Sequence, residues 1–209
     1  MKVLGISGSP RKNGTTAKLV KEILNATGLE TEFISLAGKD VRPCIACLAC
    51  AKDNICKVED YVGEIYDKIV GADAFVIGGS NIYSMLNGLT HNFLERFYQF
   101  HHDDKSPIAG KPGVAVGVGG KNGEPVSQGI NHFFSRINIR SLGTITTKGA
   151  LPCFSCGIGH TCKISNVRNL LDKNGEIDMS FKPSLEKQKP ILKEAKELGI
   201  KIRLDLEES

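Results

Sequence analysis

Four of the seven cysteines fall in Cys44-x2-Cys47-x2-Cys50-x5-Cys56, the sharpest chemical signal in the chain. Two-residue gaps let three thiolates wrap one corner of an inorganic cubane, and a longer gap lets a fourth reach back. Bacterial ferredoxins use Cys-x2-Cys-x2-Cys-x3-Cys-Pro, whose last cysteine serves a second cluster. Here the five-residue gap and the missing proline leave all four residues free for one [4Fe–4S] cluster. Pro43 would stiffen the entry, and Ile45, Ala46, Leu48 and Ala49 would shield the centre. An all-cysteine zinc site and metal-free oxidisable thiols remain open. Zinc sites usually split into two knuckles separated by a long spacer, which three closely spaced cysteines fit poorly.

The remaining cysteines lie in Cys153-x2-Cys156-x5-Cys162, with His160 inside. That set suits a zinc site of three thiolates and one imidazole, a partial iron ligand set, a reversible Cys153–Cys156 disulfide, or idle thiols. His101-His102-Asp103-Asp104 reads as a solvated turn or a metal site. His91 and His132 fall on expected helices, more as surface residues than as catalytic ones. No Ser–His–Asp order or Cys-x5-Arg phosphatase loop is evident.

A second kind of chemistry begins at Ser7-Gly8-Ser9-Pro10-Arg11-Lys12-Asn13-Gly14-Thr15-Thr16. The glycines let backbone amides turn toward an anion, and the helix that follows adds free N–H groups and its positive dipole end. Ser9, Thr15 and Thr16 bring hydroxyls, and Arg11 a charged fork. No Gly-Lys-Ser/Thr closes the loop and it is not G-x-G-x-x-G, so neither a triphosphate nor a dinucleotide fits well. The donor density suits a monophosphate. A helix start capped by Asn13 or Thr15, with no ligand, is the plain alternative.

The elements that must position these loops follow from periodicity. Lys2–Ser7, Thr31–Leu36, Asp73–Gly78, Pro112–Val118 and Leu142–Lys148 read as strands. Thr15–Ala26, Asp60–Gly71, Leu89–Phe100, Val126–Asn138, Asn166–Asp172 and Ser184–Leu198 read as helices. The alternation implies an α/β, doubly wound, five-stranded parallel sheet of order 2-1-3-4-5, with ligands beyond the strands' carboxyl ends. Gly-rich loops follow three of those ends, after Ser7, Gly78 and Val118. The organisation reads as one domain over residues 1–209. Residues 42–57 are then a cysteine-rich insertion and 150–209 a C-terminal extension.

The first loop, from Gly5 to Thr16, closely resembles the phosphate loop of flavodoxin-like, NAD(P)H-dependent FMN reductases. Ser80-Asn81-Ile82-Tyr83-Ser84-Met85-Leu86-Asn87-Gly88 resembles their second flavin loop, with Asn81 in place of the usual proline. Gly119-Gly120-Lys121-Asn122-Gly123 resembles the third, near the isoalloxazine edge. The likeness spans roughly residues 1–149 and implies FMN as cofactor. Ser9, Arg11, Asn13, Gly14, Thr15 and Thr16 would hold its phosphate. Ser80, Asn81, Ile82, Tyr83, Ser84, Met85, Gly119, Gly120 and Gly123 would line its ring. Amides near Tyr83–Met85 would bond the ring's polar edge, and Tyr83 or Met85 would pack on its face, unless Tyr83 merely caps the core. The cysteine segment resembles that of iron–sulfur flavoproteins, a branch of this family carrying one cluster and one FMN per chain.

That likeness implies passage of electrons from a ferredoxin-like one-electron donor to FMN, for two-electron reduction of a small-molecule acceptor. No catalytic acid or base is implied. The alternatives are an NAD(P)H-dependent FMN or quinone reductase with structural cysteines, and a non-enzymatic redox carrier or sensor. A homodimer or homotetramer is expected. Phe93, Leu94, Phe97 and Phe100 suggest an interface helix, with simple core burial as the alternative, and Ile191, Leu192, Ala195 and Leu198 a tail helix docked on a neighbour.

Composition excludes several classes. A chain of 209 residues, 41% hydrophobic and 24% charged, is globular rather than disordered. A net charge of +4, scattered lysines and no Trp give no nucleic-acid footprint. No apolar run approaches a membrane span, and the short Met1–Ile6 run is no signal peptide, so cytoplasmic residence is expected.

Overall fold

The computed structural model describes residues 1–102 and 106–208, so Asp103 and Asp104 of the His-His-Asp-Asp run lie outside the described residues. Strands β1 (Lys2–Ser7), β2 (Glu30–Ser35) and β3 (Ala74–Ile82) are followed by a two-residue strand, β4 (Met85–Leu86). β5 (Pro112–Gly119) and β6 (Arg140–Lys148) complete the sheet. Its order is β2-β1-β3-β5-β6, with every neighbouring pair parallel and β4 antiparallel to β3. The five parallel strands therefore stand in the order that the alternation predicts.

Side chains alternate across the pleat into two cores. Val3, Ala74, Val76, Val114 and Val116 pack beneath α1 (Thr15–Thr27) and a long C-terminal helix. Leu4, Ile6, Phe75, Ile77 and Ala115 face the other way, onto the remaining helices. Those are α2 (Tyr61–Glu64), α3 (Tyr66–Val70), α4 (Gly88–Glu95) and α5 (Glu124–Arg136). Burying a side chain such as Phe75 contributes about 1.5–3 kcal/mol, which is why both faces must be covered. Among the described residues no helix is long and apolar enough to cross a membrane.

Four expectations change. The helix expected over 60–71 is two, α2 and α3, meeting at Ile65, though Val62, Ile65 and Ile69 keep one buried register. The helix expected from Leu89 to Phe100 is α4 followed by a 3-10 segment, Arg96–His101. Its three phenylalanines are core rather than interface. Phe97 meets Phe93, Phe100 and Phe133 edge-on at 5.1, 5.5 and 5.5 Å, and all but Phe133 are buried.

No helix forms over Asn166–Asp172. Asn174-Gly175 is a hairpin signal that competes with it: Asp172 Oδ1 accepts the Asn174 and Glu176 amides, Gly175 is left-handed, and Leu171 bridges Ile177. The last helix, α6, runs Lys189–Glu207 rather than from Ser184, because Pro190 is tolerated only in its first turn. It docks on this chain's own α1, where a Cβ on Gly199 would lie 2.5 Å from the Ile23 carbonyl. Ala195 and Ile202 are buried there, so the tail is part of the core.

Candidate functional site

Three loops converge beyond the carboxyl ends of β1, β3 and β5. Ser9, Arg11, Gly14, Thr15 and Thr16 share one cleft with Ser80, Asn81, Ile82, Gly119 and Gly120. Asn13 opens instead on the neighbouring cleft with Lys18, and Gly123 lies beneath Gly117. Tyr83, Ser84 and Met85 do not line the cleft.

The α1 terminus is built for an anion. Its N-cap is Gly14, not Asn13 or Thr15, no side chain caps it and its first turn carries no acid. Open amides and an uncompensated dipole favour a negative group by about 0.3–1 kcal/mol, or more when partly buried. The α5 terminus is the opposite case. Asn122 Oδ1 accepts the Glu124 amide at 2.8 Å, and Glu124 puts an acid in the first turn. Of the two termini, α1 is therefore the one that favours an anion. Ser80 lines the same cleft, and its Oγ is buried without a hydrogen-bond partner.

Two asparagines lock the loops together. Asn87 Nδ2 donates to the Gly8 carbonyl at 2.7 Å, while its Oδ1 accepts the Ser80 amide at 2.9 Å and the Thr90 hydroxyl at 2.8 Å. Asn81 Nδ2 donates to the Asn122 carbonyl at 2.6 Å, and its Oδ1 accepts the Ser84 amide at 2.8 Å. The residue replacing the usual proline thus ties the second loop to the third. Sequence reasoning missed the fourth wall. Gly149, Ala150, Leu151 and Pro152 follow β6 into the cleft, and Arg11 Nη1 donates to the Ala150 carbonyl at 2.8 Å.

The second loop is shorter than the sequence suggests. β3 continues to Ile82 and turns back through Tyr83 and Ser84, both left-handed, into β4. Two positive φ angles are what a tight two-residue hairpin needs. Tyr83 is 93% exposed and Met85 65% exposed, so Tyr83 does not cap the core.

The cysteine loop has no regular structure beyond a 3-10 turn, Ala49–Lys52. Both its ends are fixed by one buried pair. Arg96 Nη1 pairs with Asp60 Oδ2, and the same guanidinium donates to the Arg42 and Val58 carbonyls at 3.4 and 3.2 Å. Asp60 in turn accepts the Arg42 amide at 2.9 Å and the Val62 amide at 3.0 Å. Glu95 Oε2 accepts the Cys44 amide at 3.1 Å, and Gln99 Oε1 the Cys56 amide at 2.9 Å. Asn92 Nδ2 donates to the Val41 carbonyl at 3.1 Å. Residues 92, 95, 96 and 99 recur at helical spacing, so one stripe of α4 and its extension carries the loop.

Ala46 and Leu48 are left-handed, φ 52° and 58°, and turn the chain between successive cysteines. For residues with a Cβ this costs roughly 1–2 kcal/mol each. Leu48 is exposed, so little packing is at stake. Leu48→Gly is expected to be neutral or stabilising by up to about 1 kcal/mol in urea unfolding, while Leu48→Val destabilises by a similar amount. Equal stability of the two variants would contradict the left-handed turn.

Cys50 is buried, Cys44 and Cys56 are half-buried and Cys47 is exposed, all as free thiols. Burial pushes the Cys50 thiol up, and the neighbouring Cys56, Cys44 and Cys47 add to that shift. Coordination deprotonates such a thiol outright. His102 Nε2 stands 3.3 Å from Cys50 Sγ, a neighbour that the sequence did not suggest. Among the described residues no three His, Cys, Asp or Glu side chains converge on a single ion, in this group or around Cys153, Cys156, His160 and Cys162. A polynuclear cluster spreads its ligands further apart than one ion with Zn–S bonds of about 2.3 Å, and four soft thiols on one clamped loop fit such a group chemically. Ile45 and Leu48, expected as shields, are exposed.

Uncapped helix start, switch-point cleft and parallel sheet together define a flavodoxin-like fold. Solved structures agree on the fold: a flavodoxin from the domain Archaea (17% identical, 99% of each chain, TM-score 0.56) and an NADH:FMN oxidoreductase in its apo form (16%, 98% of this chain and 89% of the other, TM-score 0.58). Residues 1–147 match the NADPH-dependent FMN reductase family. An iron–sulfur flavoprotein of Methanocaldococcus jannaschii is 40% identical over 140 residues, 64% of this chain and 72% of that one. One from Archaeoglobus fulgidus is 26% identical over 99% of this chain and 96% of its own. The chain belongs to the NADPH-dependent FMN reductase family, with the iron–sulfur flavoproteins, and is an FMN-dependent oxidoreductase.

Proposed function

We propose that this chain holds FMN in the α1 cleft and one [4Fe–4S] cluster on Cys44, Cys47, Cys50 and Cys56. It passes electrons from a ferredoxin-like donor through these centres to a small-molecule acceptor. The observation that carries this reading is the double role of one helix. At the start of α4, Asn87 pins the first two flavin loops, and at its end Glu95 receives the cysteine loop. From Gly88 to Glu95 is about 10 Å of helix axis. One rigid element therefore sets the spacing of both sites.

When bound, FMN accepts electrons singly or in pairs while a cluster passes them one at a time, so the cofactors carry the redox step. The protein's own work is positional. The α1 amides, Ser9, Thr15, Thr16 and Arg11 hold the phosphate. Asn81 and Asn87 keep the loops in register. No side chain is required as an acid or base. We place the protein in the cytoplasm as a homodimer or homotetramer, with no nucleic-acid or membrane partner. A reducing compartment leaves the seven cysteines free of disulfides, so that the four loop thiols can hold a cluster.

Anaerobic stopped-flow mixing tests the donor. Reduced ferredoxin is expected to bleach the flavin at least tenfold faster than NADPH alone. Rapid bleaching by NADPH without ferredoxin would instead mark a nicotinamide-dependent FMN or quinone reductase with structural cysteines. Reduction without turnover on oxygen, peroxide or quinones would mark a redox carrier or sensor.

A further inference from the structure

Two side-chain acceptors on the stripe of α4 and its 3-10 extension are spent on cysteine backbone amides. Glu95 Oε2 takes the N–H of Cys44 and Gln99 Oε1 the N–H of Cys56, the first and last ligands of the proposed cluster. We infer that Glu95 and Gln99 are positioning residues that hold the cluster's reduction potential low, an inference that rests on the proposed function.

The potential of a thiolate-held cluster depends on net charge, hydrogen bonds to its sulfurs and solvent exposure. Each N–H donated to sulfur stabilises the more negative, reduced state. Here two such amides are committed elsewhere. Gln99 is buried, so its amide oxygen faces little competition from water for the Cys56 N–H. Glu95 also brings a carboxylate to the loop, with its second oxygen 3.3 Å from His91 Nε2. A negative group beside the centre opposes the added electron. Both effects act in the same direction, toward a stronger reductant.

The two contributions separate by substitution. Glu95→Gln keeps an acceptor for the Cys44 amide and removes the charge. Gln99→Leu fills a similar volume and releases the Cys56 amide. Neither side chain lines the flavin cleft.

The experiment is an anaerobic dye-mediated redox titration of the full chain, following the electron paramagnetic resonance signal of the reduced cluster. Iron and acid-labile sulfide are assayed on the same samples. Both variants are expected to retain the cluster and to titrate at a more positive potential. The expected shift in the reduction equilibrium is at least threefold, where tenfold corresponds to 59 mV for one electron. Unchanged potentials in clusters of wild-type content overturn the inference. So does loss of the cluster from a folded Glu95→Gln variant, since that residue then holds the loop rather than tunes it. If Gln99→Leu loses its cluster, Glu95→Gln decides alone. Absence of iron and sulfide from the wild-type chain would instead overturn the proposed cluster, leaving the two failures distinguishable.

Discussion

Arg96→Met is expected to destabilise the chain by about 3–5 kcal/mol and to release both ends of the cysteine loop. The pair with Asp60 is fully buried on both sides, and removing one partner strands the other's charge away from water. The Arg42, Val62 and Gly63 amides that also reach Asp60 soften the loss without replacing a cation. Because the guanidinium also holds the Arg42 and Val58 carbonyls, damage centres on residues 42–58. Urea unfolding measures the first effect. Trypsin cleavage at Lys52 and Lys57, faster than in the parent chain, measures the second. The double variant Asp60→Asn, Arg96→Met removes both charges. Its loss is expected to fall short of the sum of the single losses by at least about 1 kcal/mol. Additive losses, or trypsin cleavage unchanged, would contradict the clamp.

Gly119→Ala is expected to weaken FMN binding by roughly 10- to 100-fold, the equivalent of about 1–3 kcal/mol of overpacking. An added Cβ would meet the Asn122 carbonyl oxygen at 2.0 Å and the Asn81 Cβ at 3.1 Å. The first is backbone, so the third loop must move. Asn122's carbonyl accepts from Asn81, so the second loop moves with it. Gly129→Ala on α5 is the control: open space surrounds that position, and helix propensity alone predicts a gain of roughly 0.8–1 kcal/mol with FMN affinity unchanged. Flavin fluorescence titration separates the two. Equal affinities in both variants would show that the Gly119 turn does not shape the flavin site.

Much of the fold was legible because it rests on short-range pattern. The continuous apolar runs at Val3–Ile6 and Ala74–Ile77 belong to strands buried on both faces, and Leu19, Val20, Ile23 and Leu24 do form the buried stripe of α1. What misled was pattern without its partner. Phe93, Phe97 and Phe100 look excessive for one helix until they are seen packed on one another, with Phe133 of α5 meeting Phe97. Ser184 looked like a helix start, although Pro190 marks where a helix can begin.

The site divides in the same way. Loop membership was readable, since Ser9, Arg11, Thr16, Ser80, Asn81, Gly119 and Gly120 do share one cleft. The side chains that hold those loops were not. Asn87 lies in the second-loop motif with no role assigned by it and Gln99 in no motif, and their roles arise from contacts 79 and 43 residues away in sequence. Arg96 and Asp60 were hidden for the same reason, because charged residues are rarely expected in a core.

Anaerobic purification of the chain, with iron, acid-labile sulfide, zinc and flavin assayed per polypeptide, reaches furthest. Roughly four irons, four sulfides and one FMN are expected, with iron and sulfide lost together in Cys50→Ser while flavin stays. Zinc without sulfide, or flavin bound to a chain whose four loop thiols all remain titratable, would contradict an electron path through Cys44, Cys47, Cys50 and Cys56.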